Sequence, residues 1–329
     1  MATNPVISEL KAKELNAFLA PKHPGAISVA NYKGGVGKTT VVTLLGYYLA
    51  EMTGEKVLLI DIDPQCSLSL AVGFDPEEVS RTELTIYNLV KPSKWTKIHK
   101  TNFKNYVFSI PDKLGPKNLD IIRGSFYVED LDIEIIKSMV EHGEEKKHEL
   151  FLYCKQMLNT YEDYKYILID CPPNRMFLTQ AMLRASSFYL PVTIPDEISI
   201  YGMPRLLRWI NDIAKNDRPK LLGYILNAIN RIGGLPGGKV YSQQAAETRL
   251  LRNIQAGLDK VEKEVIGENP LVGVIPRLDA IARFLNEREA KYSRDDFKRR
   301  NSGQPSIDEC LTDITKEIIK RIRNYNDKI

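Results

Sequence analysis

The sequence predicts an α/β protein with a doubly wound, mostly parallel sheet that is flanked by helices. Several short stretches are almost wholly apolar, which is typical of strands covered on both faces. Helical stretches alternate with them, and this alternation favours a parallel sheet whose active groups lie at the carboxyl ends of the strands. The first strand leads through a glycine-rich loop into a helix. The predicted strands span residues 26–32, 56–63, 166–170, 188–194, 221–227 and 271–275.

The stretches between the strands predict the helices and the domain organisation. A single domain is expected over 26–329, preceded by a helical extension over 1–25 with a short amphipathic helix at 6–19. The segment 75–164 is long and charged and fits the α/β pattern least well. Glycine and proline accumulate at 231–239, which predicts a mobile loop. The predicted helices span 38–52, 129–139, 144–160, 176–185, 199–215, 242–263, 279–290 and 306–326.

The composition excludes several classes of protein. Of the 329 residues, 43% are hydrophobic and 27% are charged, and the net charge of +4 leaves room only for local basic patches. The N-terminus lacks the order of a signal peptide, and no apolar run approaches the ~20 residues that span a bilayer, so a cytoplasmic protein is expected. The scattered cysteines argue against a zinc site, an iron–sulfur cluster and a disulfide framework. They are Cys66, Cys154, Cys171 and Cys310.

The loop NYKGGVGKTT, residues 31–40, is typical of a phosphate-binding site. Without a Cβ, a glycine backbone can approach a phosphate closely, and the N–H groups at the following helix start attract anions. Lys38 is expected to reach the β- and γ-phosphates, and the Thr39 hydroxyl is expected to bind Mg²⁺. The backbone cradle is predicted at Gly34, Gly35, Val36 and Gly37.

The same loop departs from the usual pattern G-x-x-x-x-G-K-[ST]. Tyr32 stands where the pattern has its first glycine, and Lys33 adds a second lysine. The pattern alone leaves open whether the loop is damaged or whether Lys33 has a task of its own.

Acidic residues follow two of the predicted strands. Asp61 and Asp63 end the stretch LLIDID, and Asp170 ends YILID in the form of a Walker B strand. Carboxylates at such positions can hold Mg²⁺ or orient an attacking water. A role in turn formation is an alternative for Asp61.

Taken together, KGGVGKTT, the following DIDPQ and the later DCPPN resemble the ParA/MinD superfamily of deviant Walker A ATPases, and within it the ParA branch. The resemblance covers roughly residues 26–325, with a faint match over 75–164. It implies a P-loop NTPase fold, ATP hydrolysis with slow intrinsic turnover, and ATP and Mg²⁺ as cofactors.

The resemblance also implies a homodimer with ATP sandwiched at the interface, in which Lys33 reaches the nucleotide of the partner subunit. It makes Lys33, Lys38 and Asp63 catalytic, with Asp63 positioning water. The implied metal residues are Thr39, Asp61, Asp63 and Asp170. The implied nucleotide contacts are Lys33, Gly34, Gly35, Val36, Gly37, Lys38, Thr39 and Thr40 at the phosphates, with Asn227, Pro276 and Arg277 around the adenine.

Three further implications concern partners. A ParA-like dimer binds DNA without sequence preference through basic side chains, which would place it on the nucleoid, and a ParB-like protein stimulates its hydrolysis. The DNA-binding candidates are Lys260, Lys263, Lys298, Arg299 and Arg300, with a solvated surface run as the alternative. The cargo stays open between a plasmid, a chromosome and a protein assembly.

Two other functions remain in view. A MinD-like ATPase would dock on a membrane through the amphipathic helix 311–323, whose apolar stripe we instead expect to pack on the core. An ATP-dependent switch in a regulatory or defence complex is the third possibility. No transmembrane segment is expected in any of the three.

Overall fold

A computed structural model describes residues 21–95, 101–143, 145–194, 197–213, 217–229, 252, 255–256, 259–276, 298 and 306–328. The predictions for 6–19, 231–239 and 279–290, and most of the one for 242–263, lie outside these residues. The fold class is the predicted one, a mostly parallel sheet with helices on both faces.

Nine strands of the described chain form one sheet in the order β3-β4-β2-β5-β1-β6-β8-β9, and β7 pairs with β6. All pairs are parallel except β3 with β4. The strands are β1 (Ala26–Ala30), β2 (Val57–Asp61), β3 (Val107–Ser109), β4 (Leu119–Ile122), β5 (Tyr166–Asp170), β6 (Phe188–Thr193), β7 (Lys220–Leu221), β8 (Tyr224–Ile229) and β9 (Leu271–Pro276).

Helices cover both faces of this sheet. The described helices are α1 (Lys38–Thr53), α2 (Ser67–Ala71), α3 (Pro76–Ser80), α4 (Ile86–Val90), α5 (Val128–His142), α6 (Glu145–Thr160), α7 (Phe177–Ala185), α8 (Glu197–Ile213), α9 (Lys260–Ile266) and α10 (Ile307–Asn326). One core lies between the sheet and α5 to α8, and the other lies under α1 and α10. Alternate residues of β1 serve the two cores: Ala26 and Ala30 face one, Ile27 and Val29 the other. Burial on both sides explains why these strands are continuous apolar runs.

The predicted strand 221–227 is divided in the structure. Gly223 adopts φ +104°, and a Cβ there would collide with the carbonyl oxygen of Pro270. The chain therefore leaves β7 at Leu221 and begins β8 at Tyr224. The segment 75–164 contains the predicted helices as α5 and α6, together with β3, β4 and short helices that the sequence pattern did not predict.

The terminal helix α10 packs on the core, as expected. Its apolar residues Leu311, Ile314, Ile318 and Ile322 are buried under the sheet beside α1. The basic residue Arg321 of this helix is also buried, and its guanidinium donates to the carbonyl oxygen of Leu222 at 2.7 Å. In the described part of the chain, no helix is both long and apolar enough to cross a membrane.

Candidate nucleotide site

The loop of residues 31–40 begins at the carboxyl end of β1, where Asn31 fixes its course. The Asn31 side-chain amide donates to the Val192 carbonyl of β6 at 2.7 Å. Its side-chain oxygen accepts the backbone N–H of Lys33 at 3.0 Å. Asn31 is buried, and its bond to Val192 is shielded from water. The start of the loop is therefore held to the neighbouring strand before any phosphate binds.

Two glycines give the loop its curvature. Gly35 adopts φ +71° and Gly37 adopts φ +89°, both in the left-handed region that favours glycine. Gly34 and Gly35 are exposed, whereas Val36 is buried beneath them. The backbone thus forms an open turn in front of the N-terminus of α1, which is the arrangement expected of a phosphate cradle.

Lys38 lies buried at the base of this turn, with 7% of its surface exposed. Its Nζ donates to the carbonyl oxygen of Lys33 at 3.3 Å, so the side chain folds back along the loop. Burial lowers the pKa of Lys38, while the carboxylates of Asp170 and Asp63 oppose that shift. The negative charge of a bound phosphate would further stabilise the charged form of this buried ammonium.

Asp170, at the end of β5, lies against the start of α1. Its Oδ2 accepts the Thr39 hydroxyl at 2.6 Å, and its buried Oδ1 has no hydrogen-bond partner. Burial, followed by the charge of Asp61, raises the pKa of Asp170 to about 8. A buried carboxylate oxygen without a donor is costly, and a cation next to the Thr39 hydroxyl would satisfy it.

Asp61 and Asp63 have different surroundings although they are two residues apart. The Asp61 carboxylate is fully buried and accepts the backbone N–H and the hydroxyl of Ser69 at 2.8 and 2.7 Å. Burial raises its pKa to about 7 against those hydrogen bonds. Asp63 is half-buried, and its Oδ1 accepts the Gln65 N–H at 2.9 Å. Asp63 is the one of the two that remains accessible from the phosphate loop.

Two of these residues could help to hold a Mg²⁺ ion. No group of three His, Cys, Asp or Glu side chains in the described ranges is placed to hold a metal by itself. Mg²⁺ in nucleotide sites is bound by one or two protein groups, with phosphates and waters completing the shell. The Thr39 hydroxyl and the unpartnered oxygen of Asp170 match that demand.

The described adenine candidates lie on β8 and β9, with Asn227 inside β8, two residues before its end. Asn227 is buried, and its amide donates to the Val36 carbonyl at 2.9 Å, so it contacts the phosphate loop itself. Pro276 ends β9 and pairs with Ile229 of β8. Arg277 lies outside the described residues. The contacts of Asn227 and Pro276 with a base remain predictions.

Comparison with known proteins places the chain in a family. A family model described as an AAA domain matches residues 25–222, more than half of the chain. A ParA family protein of Chlamydia muridarum is 24% identical over 270 residues, which cover 80% of this chain and 95% of that protein. The sporulation initiation inhibitor protein Soj of Bacillus subtilis is 29% identical over 251 residues, covering 76% and 87% of the two chains. The chain belongs to the ParA/MinD superfamily of P-loop ATPases.

Other members of this superfamily differ in length or sequence. A relative in Sinorhizobium fredii that is named for replication is 31% identical over 190 residues, which cover 57% of this chain and 44% of that protein. The apo structure of McdA from Cyanothece has a TM-score of 0.64 at 20% identity and covers 90% of this chain and 99% of that one. MinD of Pyrococcus horikoshii, in complex with Mg-ADP, has a TM-score of 0.58 at 20% identity, covering 89% and 95%. These two structures are similar in fold.

The mismatched Tyr32 of this ParA/MinD chain takes part in an aromatic stack that sequence reasoning missed. Its ring lies 5.2 Å from the ring of Trp209 on α8, measured between centroids. The Arg175 guanidinium, from the segment after β5, lies 4.7 Å from the Tyr32 ring centroid and 5.7 Å from that of Trp209. The stack thus joins the phosphate loop to the segment after Asp170. In the sequence, the one sign of this contact is the basic residue Arg175 at the end of the stretch DCPPNR.

Three of the DNA-binding candidates, Lys260, Lys263 and Lys298, lie within the described residues. Lys260 and Lys263 are exposed on α9. This helix is attached to β7, because the Glu262 carboxylate accepts the Leu221 N–H at 2.9 Å. Lys298 is exposed. Arg299 and Arg300 lie outside the described residues. The role of these side chains in DNA binding remains a prediction.

Proposed function

We propose that this chain is a partition-type ATPase that dimerises around ATP, binds DNA without sequence preference as the ATP dimer, and is released when a ParB-like partner stimulates hydrolysis. The observation that carries the proposal is the buried Lys38 at the base of a left-handed glycine turn, beside Asp63 and Asp170. This arrangement concentrates phosphate-binding groups and carboxylates at one end of the sheet. The relatives named ParA and Soj support the partition type of function.

Within one subunit, the loop binds the phosphates. The backbone N–H groups around Gly35 and Gly37 face the anion, and Lys38 neutralises the β- and γ-phosphates. Thr39 and Asp170 would hold Mg²⁺, which supplies charge neutralisation on the bridging phosphate oxygens. Asp63 accepts a hydrogen bond from a water and orients it in line with the γ-phosphate.

Between subunits, Lys33 is the distinguishing residue. It is half-buried and directly precedes the exposed Gly34 and Gly35, while Lys38 is buried at the base of the turn. A cation at this position can meet the phosphates of a nucleotide that a partner subunit holds, and there it stabilises charge as an arginine finger does. ATP then forms part of the interface, so hydrolysis favours the monomer.

The mechanism is tested with Lys33→Ala and Asp63→Ala, with Lys104→Ala as a matched exposed lysine at the opposite end of the strands. Mass by light scattering and phosphate release are measured with ATP and with ADP. Asp63→Ala should retain an ATP dimer and lose hydrolysis, whereas Lys33→Ala should bind ATP as a monomer. Lys104→Ala should behave as wild type. An Asp63→Ala protein that hydrolyses ATP normally would refute the assignment of the water-orienting residue.

DNA binding is tested separately by anisotropy of a labelled random-sequence duplex in a salt titration. Reversal of the charges at Lys260 and Lys263, or at Arg299 and Arg300, should weaken binding of the ATP dimer on every DNA sequence alike. Each lost phosphate contact should reduce the slope of log K against log salt by about 1. An unchanged slope in both double variants would show that these residues are solvated surface groups.

A further inference from the structure

The outer face of α5 and the two residues before it carry an apolar surface that nothing in the described chain covers. Five large hydrophobic residues of the described chain are exposed, and all of them lie between residues 126 and 140. The exposed fractions range from 45% for Phe126 to 83% for Val140. We call this surface the α5 face. It comprises Phe126, Tyr127, Ile133, Ile136 and Val140.

Helical spacing separates the α5 face from the side that anchors the helix. Ile133, Ile136 and Val140 recur at i, i+3 and i+7, which places them on one stripe. The opposite side is buried in the core through Val128, Leu131 and Ile135. The helix is thus already anchored, and the outward stripe adds nothing to that packing. Contiguous apolar exposure of this kind marks a surface that binds another molecule.

Acidic side chains accompany the stripe and indicate the charge of its occupant. Glu129 and Asp130 are exposed in the first turn of α5, and Glu141 is exposed near its end, whereas Glu134 is half-buried and accepts the Tyr87 hydroxyl. Lys137 is the one basic residue whose exposed side chain is described on this helix. An anionic lipid surface would be repelled by this set, because membrane-binding helices combine an apolar face with basic residues.

We propose that the α5 face binds a basic amphipathic helix from a protein partner. The apolar stripe would take the partner's residues at i, i+3 or i+4 and i+7, and the acidic side chains would pair with its Lys and Arg residues.

The position of α5 shows how such a partner would affect the nucleotide site. The carboxylate of Asp132, on α5, accepts the backbone N–H of Phe177 at 2.9 Å. Phe177 is the first residue of α7, two residues after Arg175 in the segment that follows Asp170. A partner that shifts α5 would therefore act on the chain between the Walker B strand and α7. Docking on α5 stands on its own contacts, whereas its link to hydrolysis rests on the function proposed above.

Two synthetic peptides of about 20 residues, about 30 Å long when helical, serve as probes. They share one leucine stripe, and their polar faces carry Lys and Arg in one peptide and Glu in the other. Binding to the full chain is followed by fluorescence anisotropy without nucleotide at about 0.15 M salt. The protein variants are Ile136→Ser with Val140→Ser, Asp130→Lys and Lys137→Glu. Glu264→Lys, an exposed acid on α9, is the matched control.

The basic peptide should bind wild type at least about tenfold more tightly than the acidic one. The double serine variant should lose at least about tenfold in affinity for it, Asp130→Lys should weaken it, and Lys137→Glu should strengthen it. Glu264→Lys should leave it unchanged, and circular dichroism should show the same fold throughout.

Equal affinity of the two peptides, or binding that is insensitive to the serine substitutions, overturns the proposal. A wild-type mass that rises with concentration, and falls to that of a monomer in the double serine variant without nucleotide, overturns it in favour of a second copy as occupant. Because no hydrolysis is measured, a protein that lacks ATPase activity can still confirm docking, and an active ATPase can still refute it.

Discussion

A methyl group added at Gly37 tests whether the phosphate loop is shaped as described. Gly37 has φ +89°, and a Cβ at this position would lie 1.9 Å from the Asn227 side-chain nitrogen. Gly35 is a matched control, since it has φ +71° but no atom within 4 Å of a Cβ. Alanine at either position suffers the left-handed backbone, and only alanine at Gly37 displaces a neighbour. The Asn227 amide would have to leave the Val36 carbonyl, to which it donates at 2.9 Å.

The two costs can be separated in magnitude. A left-handed alanine costs about 1–2 kcal/mol of stability. Loss of the buried hydrogen bond between Asn227 and Val36 adds about 0.5–1.5 kcal/mol. Gly→Ala also stabilises the folded protein by ~0.4–1 kcal/mol, because it restricts the unfolded chain. This gain is common to both variants and cancels in the comparison. Gly37→Ala should therefore be less stable than Gly35→Ala by about 1 kcal/mol.

Urea unfolding without nucleotide measures this difference, so that phosphate binding does not contribute. The double variant Asn227→Ala/Gly37→Ala supplies a second test. In the absence of the Asn227 amide, alanine at position 37 should lower the free energy of unfolding about as much as alanine at position 35 does. The two substitutions should therefore be less destabilising together than the sum of their separate effects, by about 1 kcal/mol. Equal stability of the two single variants, or additive effects in the double variant, would refute the packing of Asn227 against Gly37.

Three further outcomes follow from other contacts. Lys22 donates to the carbonyl oxygens of Ser186, at 3.0 Å, and Asp217, and burial lowers its pKa to about 7. The folded protein then binds fewer protons than the unfolded chain between about pH 7 and about pH 10. The free energy of unfolding of the wild type should therefore rise by ~2 kcal/mol from about pH 7 to about pH 9. Urea titrations of Lys22→Met should show a flatter dependence on pH. Arg321→Met should lower the free energy of unfolding by roughly 3–5 kcal/mol, because buried carbonyl groups lose their donor. Lys320→Met, at an exposed neighbour, should change it by less than about 0.5 kcal/mol, and thermal and urea unfolding measure both. Arg175→Leu should lower stability by about 0.5–1 kcal/mol through loss of its cation–π contacts and should change the fluorescence of Trp209, and an unchanged spectrum would contradict the stack.

The strands were predictable where the physical demand is local. β1, β2 and β5 are buried on both faces, so the requirement for apolar residues falls on every position and is visible in the sequence. β3 and β4 escaped prediction because they are three and four residues long, too short for a periodic signal. The division between β7 and β8 depends on the approach of the Pro270 carbonyl to Gly223, a contact across 47 residues that no window of sequence contains.

The candidate site divides in the same way. The phosphate loop is one continuous segment, so its residues could be assigned from the motif alone. The surroundings of Asp61 could not be predicted, because its partner Ser69 lies on α2 and Gly124, which donates its N–H to the Ser69 hydroxyl at 2.8 Å, comes from the segment after β4. The contact between Asp132 and Phe177 likewise joins helices 45 residues apart. Polar networks assembled from distant segments leave no spacing to detect.

The apparent defect at Tyr32 has a structural reason. A glycine is required in a phosphate loop only where φ is positive or where a Cβ would block the anion. Among the described residues other than glycine, only Cys66 has positive φ, so the backbone at Tyr32 is one that any residue can adopt. The Tyr32 ring turns toward Trp209 and Arg175. The conformational demand falls instead on Gly35 and Gly37. A side chain at the first position of the motif therefore leaves the cradle intact and anchors the residue immediately before Lys33.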